Sequence, residues 1–150
     1  MEKKRVLFLC HGNICRSAAA EAIFSYLAKQ KGLSHLFEID SAGVSDEEEG
    51  NSMYFPMKGE LSMRGIPIPP HRAREVTISD MEHFDIILYM DESNKTLLTY
   101  AGLFNSKCKK MTFLNPEFKE IEDPWYTRRF KKVVDELLVC CESLLDYLVD

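Results

Sequence analysis

Val6-Leu7-Phe8-Leu9-Cys10-His11-Gly12-Asn13-Ile14-Cys15-Arg16-Ser17 runs straight into Ala18-Ala19-Ala20-Glu21-Ala22. Four consecutive apolar residues suit a short buried strand, and the alanine- and glutamate-rich stretch suits a helix. A strand therefore delivers a cysteine into a short loop that opens onto a helix. Backbone N–H groups converge at such a helix start, and the helix dipole adds partial positive charge, so an anion is favoured there. Arg16 lies close enough in sequence to close the ring with a planar fork that matches two phosphate oxygens. A thiol beneath this cluster is expected to ionise more readily than a free one, whose pKa is about 8.5, and to act as a nucleophile. Residues His11, Gly12, Asn13, Ile14, Cys15 and Arg16 then form a phosphate cradle around Cys10. Gly12 is expected to permit the tight turn, and Ser17 to cap the helix and hydrogen-bond the sulfur.

The rest of the chain supplies a scaffold of matching kind. Apolar runs of strand length occur at 6–9, 37–39, 86–90 and 111–114, separated by helical patterns, which predicts a parallel sheet wrapped by helices. The first helix is expected over 17–31, with Ala20, Ile23, Phe24 and Leu27 on its buried stripe. Shorter helices are expected over 57–64 and 92–101, stopped by Gly65 and Gly102. Phe130, Val133, Val134, Leu137, Leu138, Cys141, Leu144, Leu145 and Leu148 recur at steps of three and four residues, as expected of a long helix lying on a sheet. The chain of 150 residues, 45% hydrophobic, fits one domain, 1–150, with one sizeable core. Ligands of open parallel sheets collect at the carboxyl ends of the strands, where Cys10 sits.

Composition narrows the chemistry. A net charge of -5 argues against nucleic acid as a partner, so anion recognition falls to a small basic island in an acidic protein. No apolar run reaches the roughly 18 residues of a membrane helix, and residues 1–5 lead directly into a strand, so a cytoplasmic, soluble protein is expected. Five cysteines without C-x2-C pairs indicate neither a disulfide framework nor a zinc site. No metal or other cofactor is expected.

The cradle and four later segments resemble the low-molecular-weight protein tyrosine phosphatases, whose loop reads C-x-G-N-x-C-R-S near the N-terminus. The later segments are Asp40-Ser41-Ala42-Gly43, Gly65-Ile66-Pro67 with His71, Met90-Asp91-Glu92-Ser93-Asn94, and Asp123-Pro124-Trp125-Tyr126. The resemblance spans most of the chain. It implies an α/β fold of the phosphotyrosine phosphatase I type, with a four-stranded parallel sheet in the order 2-1-3-4 and helices on both faces. It also implies a phosphocysteine on Cys10, oxygens held by Arg16, and Asp123 as general acid and then general base. Pro124 biases Asp123 to extended backbone. Trp125 and Tyr126 would flank the phenyl ring, and Asn13, Ser17, Ser41 and His71 would brace the loop. Phosphotyrosyl proteins are the implied substrates, with phosphate and vanadate as competitive inhibitors and a monomer capable of weak self-association.

Three positions depart from the family pattern. His11 stands beside the nucleophile where an uncharged residue is usual, and a cationic ring there would attract phosphate. Glu47 falls about where many relatives carry an aromatic wall residue, which makes one side of the cleft open or acidic. Ala18 replaces a common proline. Related arsenate reductases need a further cysteine pair, and 76–102 contains no cysteine. Arginine phosphatases tend to carry threonine where this chain has Ile14, which favours tyrosine. Cys15, five residues from Cys10 in a loop that curls around one anion, is the expected redox partner of Cys10.

Overall fold

Three of the four apolar runs become strands, and the computed structural model describes residues 2–150. In chain order the elements are β1 (Lys4–Cys10), α1 (Arg16–Gln30), a single 3-10 turn (Ser34–Leu36), β2 (Phe37–Gly43), α2 (Phe55–Met63), α3 (Ile78–His83), β3 (Ile86–Tyr89), α4 (Glu92–Tyr100), β4 (Cys108–Lys110), α5 (Pro124–Thr127) and α6 (Phe130–Val149). The strands pair in parallel in the order β2-β1-β3-β4, as expected.

Central β1 alternates its side chains between two apolar layers. Val6 and Phe8 join the larger layer, with α1, α2 and α6, whereas Leu7 and Leu9 join the smaller one, which includes Met81 of α3 and Leu98 of α4. Both faces are covered, which is why the strand reads as an unbroken apolar run rather than an alternating one. Ala20, Ile23 and Phe24 on α1 and the predicted stripe on α6 are buried, with Leu27, Phe130 and Leu138 at its partly buried edges. The alanines let α1 lie close to its neighbours, so the helix start that forms the cradle is fixed by the main core. Truncating Leu144 in this layer to alanine should cost about 2–5 kcal/mol.

The fourth strand differs from expectation. It occupies Cys108–Lys110, while the apolar run 111–114 forms turns. Edge pairing needs only the register Ile87↔Cys108, Leu88↔Lys109, Tyr89↔Lys110, and lysines on a short edge strand discourage further pairing. Met111 donates its N–H to Tyr89 O at 2.7 Å and then turns its side chain into the core, so its hydrophobicity records burial in a loop. α2 begins at Phe55, earlier than expected, because Pro56 fits the first turn of a helix. α3 has too few residues to show periodicity; a capping box between Thr77 and Asp80 sets its start.

Candidate active site

β1 ends at Cys10, and residues 11–15 curl over that end before α1 begins at Arg16. Four of its five carbonyls are bound by the scaffold. His11 O accepts from Ser45 N at 3.1 Å, Asn13 O from His71 Nε2 at 2.6 Å, Ile14 O from Tyr54 N at 2.8 Å and Cys15 O from Ala19 N at 2.9 Å. The N–H groups of residues 12–15 have no protein acceptor among the described residues. A loop with its acceptors satisfied from outside and its donors left free is a cradle for an anion. Since a carbonyl only accepts, His71 must carry its proton on Nε2.

The tight turn is made by Asn13, at φ 63°, and not by Gly12, whose backbone is outside the left-handed region. Asparagine tolerates that conformation because its short side chain bonds locally. Asn13 is fully buried behind the loop, away from the cavity wall. Its Oδ1 accepts from Arg74 N at 3.2 Å, and its Nδ2 donates to Ser17 Oγ at 2.8 Å and Ser41 Oγ at 3.0 Å. Ser41 Oγ in turn donates to Glu21 Oε1 at 2.6 Å. Because Ser17 Oγ accepts from Asn13, its one proton is free for Cys10 Sγ, 3.0 Å away. Ser17 therefore serves the sulfur and does not cap α1, whose N-cap is Cys15 without a side-chain bond.

Gly43, at the end of β2, lies beneath the loop. A Cβ there would fall 2.9 Å from His11 O and 3.2 Å from Gly12 C, so only glycine allows this approach. Glu21 is largely buried, and that burial pushes its carboxyl up to about 7 against the opposing hydrogen bond from Ser41.

Arg16 is 2% exposed and yet charged. Nη1 donates to Asp91 Oδ2 at 2.6 Å and to Ile121 O at 2.8 Å, and Nη2 lies 3.3 Å from Asp123 Oδ2. Burial opposes the charge, but Cys10, Asp123 and Asp91 outweigh it and hold the guanidinium above its ordinary pKa. Asp91 also caps α4, its Oδ1 accepting from Asn94 N at 2.9 Å. Asp123 has the extended backbone expected before Pro124, at φ -86° and ψ 109°, and its Oδ1 caps α5 by accepting from Trp125 N at 3.0 Å. Cys15 is buried, and desolvation together with the neighbouring Cys10 pushes its thiol well above the ordinary value.

These groups surround a cavity of about 130 Å³, lined at its base by Cys10, Ile14, Cys15 and Arg16 and beside them by Asp123. Trp125 and Tyr126, 45% and 80% exposed, form one side of the mouth, and Trp125 packs against Tyr54 with ring centroids 4.7 Å apart and the rings tilted by 47°. Arg128, with left-handed backbone at φ 61°, donates to the Tyr54 hydroxyl at 3.1 Å. Glu47 and Glu48 also line the cavity. His11 Nε2 is 3.2 Å from Glu47 Oε2, so the ring has a carboxylate neighbour that tempers any pull on phosphate.

The fold thus gathers Cys10, His11, Gly12, Ile14, Cys15, Arg16, Glu47, Asp123, Trp125 and Tyr126 around one cavity, and sets Asn13, Ser17, Ser41 and His71 behind it. The sequence reading assigned no role to Asp91, Glu21, Arg74, Tyr54, Arg128 or Gly43. Asp91 and Asn94 form a capping box at the start of α4, but the partner of the second Asp91 oxygen, Arg16, lies far away in sequence.

Comparison with known proteins converges on one family. A sequence-family profile described as "Low molecular weight phosphotyrosine protein phosphatase" matches residues 5–150. The low molecular weight protein-tyrosine-phosphatase YfkJ of Bacillus subtilis is 38% identical over 144 residues, covering 93% of this chain and 92% of that protein. Its crystal structure superimposes with a TM-score of 0.91 at 36% identity, covering 99% and 96% of the two chains. The human low molecular weight phosphotyrosine protein phosphatase is 37% identical over 150 residues, covering 95% and 94%. The YwlE arginine phosphatase, in a mutant with a phosphorylated active-site serine, superimposes with a TM-score of 0.86 at 25% identity, covering 97% and 96%. On the profile match and these identities, the chain belongs to the low-molecular-weight phosphotyrosine protein phosphatase family.

Proposed function

We propose that the protein is a cysteine-dependent phosphatase that hydrolyses phosphotyrosine in proteins, and small aryl phosphates, in two in-line steps. The observation that carries this reading is the loop over Cys10, its carbonyls bound outward and its N–H groups free, closed by a buried Arg16 that also faces Asp123. In the first step Cys10 Sγ attacks phosphorus. The S–P bond forms as the bond to the phenolic oxygen breaks, and that oxygen takes the proton held by Asp123. In the second step water attacks the phosphocysteine and gives a proton to Asp123. The P–S bond breaks and the Cys10 thiolate returns. Loop amides and the Arg16 guanidinium hold the three equatorial oxygens through both steps.

Ser17 supports the leaving sulfur of the second step with its hydroxyl proton, and Asn13, Ser41 and His71 keep the loop in its curl. Trp125 and Tyr126 bracket the aromatic ring of the substrate, and only a side chain as long as phosphotyrosine reaches the sulfur between them. Every role is filled by a side chain or an amide, so the reaction runs without a cofactor. The phosphorylated serine at the active site of the YwlE relative supports a covalent route, while the aromatic walls and Ile14 favour tyrosine over arginine as the phosphoryl carrier. We place the enzyme in the cytoplasm as a monomer, inhibited competitively by phosphate and vanadate. No helix among the described residues is long and apolar enough to cross a membrane.

The test is hydrolysis of p-nitrophenyl phosphate and of a phosphotyrosyl peptide. Both should be turned over with a chelator present, and Cys10→Ser should abolish both. Turnover of phosphoarginine in preference to either would contradict the tyrosine assignment.

A further inference from the structure

Beside the catalytic cavity runs an open groove of about 430 Å³, and Ile14, Glu48 and Trp125 line both. Its own walls are Met53, Tyr54, Phe55 and Lys58. Phe55 is 82% exposed at the first position of α2, where helix formation demands nothing aromatic. Single exposed apolar residues are ordinary. Here, however, Phe55 continues a wall already formed by Tyr54 and Trp125, whose rings pack together at a tilt, so the apolar surface is contiguous with the mouth of the cavity. Glu47 lines only the cavity and Glu48 lines both, whereas Lys58 lies in the groove with its Nζ 3.2 Å from Ser52 Oγ and no carboxylate within ion-pair distance among the described residues.

We infer that this groove is a subsite for the substrate polypeptide, taking an apolar side chain within three residues of the phosphotyrosine and, beside it, an acidic side chain that meets Lys58. The assignment rests on the phosphotyrosine reading above. Continuity selects the occupant: a chain whose phosphorylated ring stands between Trp125 and Tyr126 must leave the cavity over its rim. Residues of extended peptide advance about 3.3 Å each, so its near neighbours reach the adjoining groove. Burying one leucine or phenylalanine against Phe55 and Trp125 is enough to change affinity about tenfold or more. Lys58 rejects a basic residue beside it, and Glu47, which lines the cavity but not the groove, accepts one there.

The experiment compares phosphotyrosyl peptides on an alanine background, with a Leu-Glu pair moved through the three positions on each side of the phosphotyrosine. Each kcat/KM is divided by that for p-nitrophenyl phosphate, which is too short to meet Phe55 and Lys58. One placement should exceed the all-alanine peptide by about tenfold. That preference should collapse in Phe55→Ala, and in Lys58→Glu it should shift from a Leu-Glu to a Leu-Lys pair. If p-nitrophenyl phosphate is not hydrolysed, the phosphatase reading falls and takes the subsite with it. If it is hydrolysed while all peptides react alike, or the preference survives both substitutions, the subsite alone is overturned. Sedimentation at assay concentration completes the test: a dimer that Phe55→Ala dissociates would make a second copy of the chain the occupant and overturn the assignment.

Discussion

Arg16 and Asp91 meet at 2.6 Å behind the Cys10 cavity, and the same Asp91 carboxylate caps α4, so one residue both starts a helix and aims the guanidinium that closes the cradle. Asp91→Asn keeps an oxygen for the cap but removes the charge that holds Arg16. It should raise the inhibition constant of phosphate and lower kcat/KM by about ten- to a hundredfold, while Asp91→Ala should in addition lower Tm, since loss of a cap costs about 1 kcal/mol. Phosphate inhibition and thermal melting of the two variants check this; unchanged phosphate affinity in both would separate Asp91 from the site.

On the proposed mechanism, replacement of Asp123 by asparagine removes the proton donor and leaves the loop contacts. The loss in kcat should be about 10²–10⁴-fold for phenyl phosphate, a poor leaving group, and clearly smaller for p-nitrophenyl phosphate. A leaving-group series read in both proteins gives the slopes, and parallel slopes would deny Asp123 the acid role.

Glu21 makes stability depend on pH in the direction opposite to an ordinary ion-paired carboxylate. Its folded value of about 7 lies above its unfolded value near 4.5, so the folded state holds the proton more tightly. The cost is absent below about 4.5, grows as pH rises, and is complete above about 7. Glu21→Gln, which keeps an acceptor for Ser41, should match the parent near pH 4.5 and exceed it above pH 7 by on the order of 2 kcal/mol. Denaturant midpoints across that window supply the comparison.

Oxidation should reveal the state of Cys15. Peroxide converts the Cys10 thiolate to a sulfenic acid with release of hydroxide, and attack by the Cys15 sulfur would form a disulfide and expel water. The thiol of Cys15 resists ionisation, so closure should be slow at neutral pH and accelerate as pH rises. Activity recovered with dithiothreitol after timed exposure should increase with pH in the parent and stay low in Cys15→Ser. Equal recovery in both proteins would remove Cys15 as the resolving thiol.

The acidic lip offers a charge test. Glu47→Lys should break the 3.2 Å contact with His11 and improve kcat/KM for peptides with acidic residues on that side, with the gain shrinking as salt rises. Peptide rates at low and high ionic strength measure it, and a flat response would leave Glu47 a solvated surface residue.

The cradle was legible because nucleophile, cation and helix start are contiguous from Cys10 to Ser17, where local geometry follows from sequence. Sheet order came from the resemblance, since the apolar runs themselves carry no register. The fourth strand was misplaced because Met111 is buried without being part of a strand, and periodicity cannot tell the two apart over so few residues. Gly12 and Asn13 exchanged roles at the turn for a related reason: either type accepts unusual backbone, and only the packing of Glu48 against Gly12 and of Asn13 behind the loop decides between them. Asp91 and Glu21 leave no local signal in the sequence because their effect runs through partners from other segments, Arg16 for one and Ser41 for the other.

The central claim is that phosphate passes through Cys10. Rapid acid quench of the enzyme during turnover of a phosphotyrosyl peptide, followed by mass spectrometry of the fragment around residues 6–16, tests it most directly. The account predicts that the fragment gains the mass of one phosphoryl group, localised to Cys10, that the adduct accumulates during turnover, and that free phosphate in excess suppresses it. Turnover with the fragment unmodified at every quench time, or with the phosphoryl group on His11, would contradict it.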